Sequence, residues 1–265
     1  MPDILDRILA VKRREVAAAK REIPEAQVRA AAAAADPPRG FAAALNAAAR
    51  AGRPAVIAEI KRSSPSRGLI RADFDPGRIA ASYAANGAAC LSVLTDREFF
   101  GGSAEDLRAA RGACGLPVLR KDFIVDPYQV YESRSWGADC ILLIVDAAPD
   151  DELKSLARLA AQVGLDVLVE CHDAGQLARG LEIEAPLIGI NNRDLRTFET
   201  RLQTTLDLLP GVPPGRTVVS ESGISTPADV AHLSDAGVST YLVGSAFMGA
   251  EDPGKELKTL FFGPG

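Results

Sequence analysis

The chain has 265 residues, 47% of them hydrophobic and 25% charged, with a formal net charge of −5. These are the proportions of a folded globular protein rather than a disordered one, and the acidic balance argues against a generic binder of nucleic acid or anionic membrane. No apolar run reaches the roughly 18 residues that a membrane span needs, and the opening MPDILDRILAVKRRE carries charges throughout and lacks an apolar signal core, so a cytoplasmic address is expected.

The first 50 or so residues are rich in alanine and read as helices. Asp3 is placed to cap the first, with Asp6 three residues on. Ile4, Leu5, Ile8, Leu9, Lys12 and Val16 form one stripe along it, and Pro24 ends it. A second helix is predicted over 25–35, stopped by Asp36-Pro37-Pro38, and a third over 41–49. The pattern then changes. Short apolar runs recur: AVIAEI (55–60), ACLSVLT (89–95), PVLRKD (117–122), CILLIVD (140–146), DVLVEC (166–171), LIGINN (187–192), TVVSES (217–222) and TYLVGS (240–245). Helical stretches follow them at 76–86, 104–112, 127–136, 149–163, 174–180, 205–209, 226–236 and 253–261. Unbroken apolar runs point to strands buried on both faces, as in a parallel sheet. Eight strand–helix units predict an α/β fold, a closed (β/α)8 TIM barrel with an N-terminal helical extension. The whole chain, 1–265, is expected to be one domain, of which about 1–50 is the extension. An open dinucleotide-binding sheet would carry G-x-G-x-x-G after its first strand, and none is present.

Rare residues narrow the chemistry. There are two histidines, His172 and His232, sixty positions apart, which argues against a His-rich metal site. Cys90, Cys114, Cys140 and Cys171 form no C-x-x-C pair and are expected to be reduced, mostly buried thiols. Chemistry must rest on Lys, Glu, Asp, Asn and Ser.

Barrel active sites lie at the C-terminal ends of the strands. Those ends carry Glu59 and Lys61, Thr95, Lys121 and Asp122, Asp146, Glu170 and His172, Asn191 and Arg193, Glu221 and Ser222, and Gly244 with Ser245. Alternation puts Glu59 and Lys61 on one face. The pair reads as acid/base machinery, or else as a salt bridge plugging the barrel. Lys121 and Glu170 repeat the pattern, against a surface lysine and a structural carboxylate. SESGIS (220–225) and VGSAF (243–247) follow the seventh and eighth strands, where barrels often hold phosphate. There Gly223 and Gly244 let backbone amides approach an anion, and Ser245 adds a hydroxyl. The loop KRSSPSRG (61–68) is basic and is read as closing over an anionic ligand, with Ser64 reaching the phosphate. Phe99, Phe100 and Phe123 stand beyond the second and third strands and suit a flat apolar group, or mere lid packing. His172 and Trp136 are read as structural.

AEIKRSSPSRG, SVLTDREFFGGS, PVLRKDFIVDPYQVYESRSWGAD, LVECHD, GINNRDLRTFE, SESGIS and VGSAFMGAEDP together resemble the indole-3-glycerol-phosphate synthase family of tryptophan biosynthesis, in the family's order and across the whole barrel. The resemblance implies a carboxy-lyase without cofactor or metal. Its substrate would be 1-(2-carboxyphenylamino)-1-deoxyribulose 5-phosphate, converted by ring closure, decarboxylation and dehydration to indole-3-glycerol phosphate. By the same resemblance Lys121 is the general acid at the ketone oxygen. Glu170 is its carboxylate partner and a base, Lys61 holds the substrate carboxylate, and Glu59 helps rearomatise the ring. Asn191 and Ser222 are supporting polar groups. Ser64, Gly223, Gly244 and Ser245 grip phosphate, and Arg193 lies beside the substrate; the chemistry adds that the anthranilate ring needs an apolar slot, for which Phe100 and Phe123 are placed. Acid catalysis near neutral pH calls for a lysine of depressed pKa. No substrate contact is assigned to the extreme N-terminus, and protein partners are left unknown. Two alternatives stand beside this reading: a Schiff-base aldolase using Lys121 or Lys61 on a sugar phosphate, and a non-catalytic phosphate-binding barrel.

Overall fold

The computed structural model describes residues 4–194 and 197–263. Eight parallel strands close into a barrel: β1 (Ala55–Ile60), β2 (Cys90–Leu94), β3 (Val118–Lys121), β4 (Cys140–Ile144), β5 (Asp166–Cys171), β6 (Leu187–Asn191), β7 (Thr217–Glu221) and β8 (Thr240–Val243). Each strand pairs with its sequence neighbours, and β1 closes the ring against β8. The predicted runs extend past several strands, because Thr95, Asp122, Asn192 and Ser222 lie where the chain has left the ladder for a loop, Asp146 where it turns through a short 3-10 segment and Ser245 where it starts a helix.

Alternation sorts the strand residues into two cores. Ala55 and Ile57 of β1 point into the barrel with Cys90, Leu119, Leu142, Leu168, Leu187, Val219 and Leu242. Val56, Ala58 and Ile60 point outward to the surrounding helices. Register sets Ile57 opposite Cys90 on one side and Leu242 on the other, so the interior packs in layers. Cys90, Cys140 and Cys171 are buried and all four cysteines are free. Burial raises the Cys90 and Cys140 thiols well above their usual range and pushes Cys171 up to about 12, so these are inert packing groups.

Three helices precede β1: α1 (Ile4–Glu22), α2 (Glu25–Ala34) and α3 (Phe41–Arg50). Asp3, the expected cap of α1, lies outside the described residues. Helix α3 buries Phe41, Ala42, Leu45 and Ala48 beneath the N-terminal end of the barrel. It is pinned there by the Ala42 N–H donating to Asp166 Oδ2 at 2.8 Å and by Thr217 Oγ1 donating to Asn46 at 2.9 Å. Helix α2 packs on the helix Pro127–Trp136, with Val28 against Tyr128. Helix α1 reaches the opposite end, where Leu5, Ile8 and Leu9 join the interior cluster. Lys12, read on the apolar stripe, is indeed buried, but as an ion: Nζ stands 2.9 Å from both Asp96 and Asp122 and 2.6 Å from Glu15. Trp136 packs as expected, under the Arg120 guanidinium at 3.9 Å. Two short features were not anticipated. Ser63–Ser64 pairs with Gly68–Leu69 inside the first loop, and a four-residue helix, Ser245–Met248, follows β8. No helix among the described residues is long and apolar enough to cross a membrane.

Candidate active site

Above the apolar layers, the inward positions at the C-terminal ends of the strands turn polar. Lys121 closes β3, and its Nζ donates to Glu170 Oε2 of β5 at 3.1 Å and to Glu221 Oε2 of β7 at 2.8 Å. Asn191 of β6 donates to the other Glu170 oxygen at 3.3 Å. Glu59 of β1 accepts from Lys61 Nζ at 2.6 Å, the neighbour that alternation predicted. These groups are buried or nearly so, and a buried charge needs such partners. They stand in the wall of a cavity of about 580 Å³, lined by Glu59, Lys61, Ser64, Phe100, Lys121, Phe123, Glu170, Asn191, Arg193, Ser222, Gly223, Gly244 and Ser245, whereas Phe99 and the strand-end residues Thr95, Asp146 and His172 are not in its wall.

Three carboxylates (Glu59, Glu170, Glu221) face two ammonium groups (Lys61, Lys121), so one carboxylate is in excess. Burial and the neighbouring Glu170 and Glu59 charges push Glu221 up to about 8 against the pull of Lys121. Burial also opposes the charge on Glu59 and Glu170, yet both stay below the usual carboxylate range, Glu59 through Lys61 and Lys121 and Glu170 through Lys121 and His172. For Lys121 the expectation of a depressed pKa is reversed. Burial would lower it, but Glu221, Glu170 and Glu59 together raise it, and the amine is held as an ammonium ion. A group whose folded pKa is raised contributes stability at low pH and loses it as pH climbs through that pKa. Glu221→Gln is therefore expected to gain stability relative to the parent between pH 4.5 and about 8, the interval separating the ordinary and buried values of Glu221. Urea unfolding at both pH values measures this, and an unchanged difference would refute the assignment of the excess charge to Glu221.

The loops complete the cavity. Ser222, with φ 66, and Gly223, with φ 81, both turn through the left-handed region, and a Cβ on Gly223 would meet Thr200 at 2.7 Å. A Cβ on Gly244 would collide with the Glu59 carboxylate. These turns follow β7 and β8. The Phe100 and Phe123 rings, 6.3 Å apart, stand after β2 and β3 on the other side of the mouth. Ser64, Pro65, Ser66 and Arg67 of the first loop face the cavity between them.

Two functional features escaped the sequence reading. Helix α1 brings Ile4, Leu5 and Ile8 to the cavity wall, although no contact was assigned to the N-terminus. Glu221 was seen at a strand end but given no role; its inward position on β7 was the available signal. Asp122, one residue past Lys121, also lines the cavity, but its carboxylate is engaged by Lys12, Thr95 and Arg120. His172 places Nε2 3.4 Å from Glu170 Oε1. Among the described residues no group of three or more His, Cys, Asp or Glu is arranged to hold a metal ion.

Comparison with known proteins decides the family. The family model described as "Indole-3-glycerol phosphate synthase" matches residues 5–260. The chain belongs to the indole-3-glycerol phosphate synthase family. It is 58% identical over 261 residues to the indole-3-glycerol phosphate synthase of Polaromonas sp. (strain JS666 / ATCC BAA-500), covering 98% of this chain and 99% of that one. It is 57% identical over 260 residues to that of Bordetella pertussis (strain Tohama I / ATCC BAA-589 / NCTC 13251), with the same coverage. Among solved structures, the N-acetylmannosamine-6-phosphate 2-epimerase from Clostridium perfringens aligns with a TM-score of 0.58 at 15% identity, covering 74% of this chain and 87% of that one. That likeness speaks for the barrel alone.

Proposed function

We propose that this protein is a cytoplasmic indole-3-glycerol phosphate synthase, a carboxy-lyase that closes the ring of 1-(2-carboxyphenylamino)-1-deoxyribulose 5-phosphate and expels carbon dioxide and water. The observation that carries this reading is Lys121. It is an ammonium ion clamped between Glu170 and Glu221 at the base of a cavity with an aromatic wall on one side and glycine–serine turns on the other. The anthranilate ring fits against Phe100, Phe123, Leu5 and Ile8. The phosphate fits the turns at Ser222–Gly223 and Gly244–Ser245, with Ser64 above it. Lys61 and Arg193 face the substrate carboxylate.

Ring closure forms a carbon–carbon bond at the ketone carbon and places charge on the ketone oxygen. Lys121 protonates that oxygen, and Glu221, partly protonated near neutral pH, is 2.8 Å from Nζ and placed to restore the proton. Loss of carbon dioxide returns an electron pair to the ring system. Departure of the hydroxyl as water takes a proton from Lys61 or Lys121, and Glu59 or Glu170 removes the ring hydrogen that restores aromaticity. Asn191 holds Glu170 and, through Oδ1, the Arg193 backbone N–H at 3.0 Å. Preorganised charges aimed at the reacting atoms are what such a sequence of charge shifts needs. A Schiff-base aldolase requires a free amine, which the carboxylates around Lys121 disfavour. The 1–50 segment belongs to the same working unit, since α1 supplies part of the ring slot.

The test is a fluorescence assay for indole-3-glycerol phosphate formation from the synthetic substrate. Turnover without added metal or cofactor is expected; absence of turnover would sink the assignment. Borohydride trapping with a ketose phosphate is expected to give no covalent adduct.

A further inference from the structure

His172 is not needed to line the substrate cavity, yet its surroundings are built to fix one nitrogen on Glu170. The Gln176 side chain decides this. Its Nε2 donates to Asp146 Oδ2 at 2.6 Å, and its Oε1 accepts the His172 backbone N–H at 2.9 Å, so the amide oxygen is turned toward the imidazole. The same oxygen is 3.1 Å from His172 Nδ1, and an amide oxygen only accepts; Nδ1 therefore carries hydrogen. Nε2 is left as the nitrogen with the free lone pair. It is buried, engages no hydrogen-bond partner among the described residues, and points at Glu170 Oε1 from 3.4 Å. A neutral ring in this tautomer aims a lone pair at a carboxylate, so the two bases are placed to take up one proton between them.

We propose that His172 is a positioning residue for Glu170, with the two side chains holding one proton in common, so that the proton Glu170 takes from the substrate is shared with Nε2 instead of resting on an isolated carboxylic acid. This rests on the synthase reading above. In the step, the substrate C–H bond breaks and its electron pair enters the ring as the C–O bond to the departing hydroxyl breaks. The hydroxyl leaves as water with a proton from a lysine. The abstracted proton becomes an O–H···N or O···H–N bond within the pair, whose charge changes from −1 to zero. The charged groups facing the imidazole are Glu170 on the strand just before it, Asp173 in the following turn, Asp146 behind Gln176, and Asp194, Glu199 and Arg201 across a second, smaller cavity that His172 lines. Lys121 and Asn191 engage Glu170 itself. Lys121 is the cation on the far oxygen of the carboxylate, which leaves the near oxygen for Asn191 and His172.

Two variants pull the shared proton in opposite directions. In the parent the acidic limb of the kcat/KM–pH profile reports proton uptake by the pair; in His172→Gln it reports Glu170 alone, whose carboxyl Lys121 still holds low, so the limb is expected to move down by about one pH unit. In the paired exchange Gln176→Glu with Asp146→Asn the carboxylate and the amide trade places, which keeps a donor between positions 176 and 146 and sets a carboxylate behind Nδ1–H, making the ring more basic, so the limb is expected to move up. A merely structural role for His172 would lower activity at every pH without moving the limb. Limbs that stay put in both variants, or that shift in the same direction, overturn the proposal. Nitrogen-15 histidine NMR of the unmutated protein gives a reading that needs neither a variant nor turnover. With two histidines in the chain the signals are separable. Neutral His172 is expected in the Nδ1–H tautomer, and the Nε2–H tautomer would defeat the proposal. If the turnover assay fails while the tautomer is found, the synthase reading is at fault. If turnover is found with the wrong tautomer, this proposal is.

Discussion

Replacing Lys121 by alanine is expected to lower kcat by about a thousandfold or more, since it removes both a proton donor and a preorganised positive charge, while the barrel stays folded. Lys121 is the shared partner of Glu170 and Glu221, and Glu59 adds to the field around it. Without the ammonium the carboxylates face one another with only Lys61, Asn191 and His172 to offset them. Their proton affinities rise, and a folded-state pKa raised in this way erodes stability as pH increases. The variant should therefore be closest to the parent in stability near pH 5 and fall behind it by pH 8, as read by urea denaturation. Steady-state assay under substrate saturation measures the rate. A kcat within tenfold of the parent would remove Lys121 from the mechanism.

Lys12→Met is expected to produce the largest loss of stability among single replacements at the mouth, about 3–5 kcal/mol, the usual cost of stranding buried charges by deleting one partner. Lys12 sits 2.9 Å from each of two buried carboxylates, Asp96 and Asp122. Burial resists ionisation of Asp122, but Arg120 and Lys12 overcome it and bring the acid down to about 2 from 3.8. A depressed folded-state pKa means that this stabilisation is complete above the ordinary aspartate range and disappears as pH falls toward 2. The difference between the parent and Lys12→Met should therefore narrow on acidification. Because the same lysine ties α1 to the ends of β2 and β3, its loss frees Leu5 and Ile8 from the ring slot. KM should rise more than kcat falls, and amide protection in α1 should drop. A destabilisation below about 1 kcal/mol, the scale of an exposed pair, would show that the buried triad is not what holds the helix.

The barrel was legible in the sequence because parallel strands write their burial directly as unbroken apolar runs, and because AVIAEI, DVLVEC and the runs between and after them recur at nearly even spacing. The inward set was legible for the same reason: once the strand ends are known, alternation sends Glu59, Lys121, Glu170 and Asn191 to one place. What stayed hidden depends on distances across the barrel. Glu221 and Lys121 are separated by 100 residues, and nothing local to either announces their contact. The direction of the Lys121 shift follows from how many carboxylates converge on it, which no single strand end reveals. Lys12 occupies an apolar register position on α1, and its partners lie on two other elements, so pattern alone could not distinguish a snorkelling stem from a buried ion. The contribution of α1 to the cavity followed from that same missing link.

The plug formed by α3 has a consequence for the order of events. Phe41, Ala42, Leu45 and Ala48 fill the N-terminal end of the barrel beneath closely packed apolar layers, which makes the reaction chamber a cul-de-sac. Among the described residues the cavity opens at the mouth bordered by α1 and the first loop, and substrate, gas, water and product pass there. Carbon dioxide, small and uncharged, can slip past an occupied entrance, whereas the phosphorylated product must clear it before the next substrate enters. Traffic through that mouth passes two segments: α1, which carries none of the acid/base groups, and the first loop, whose Lys61 is one of them.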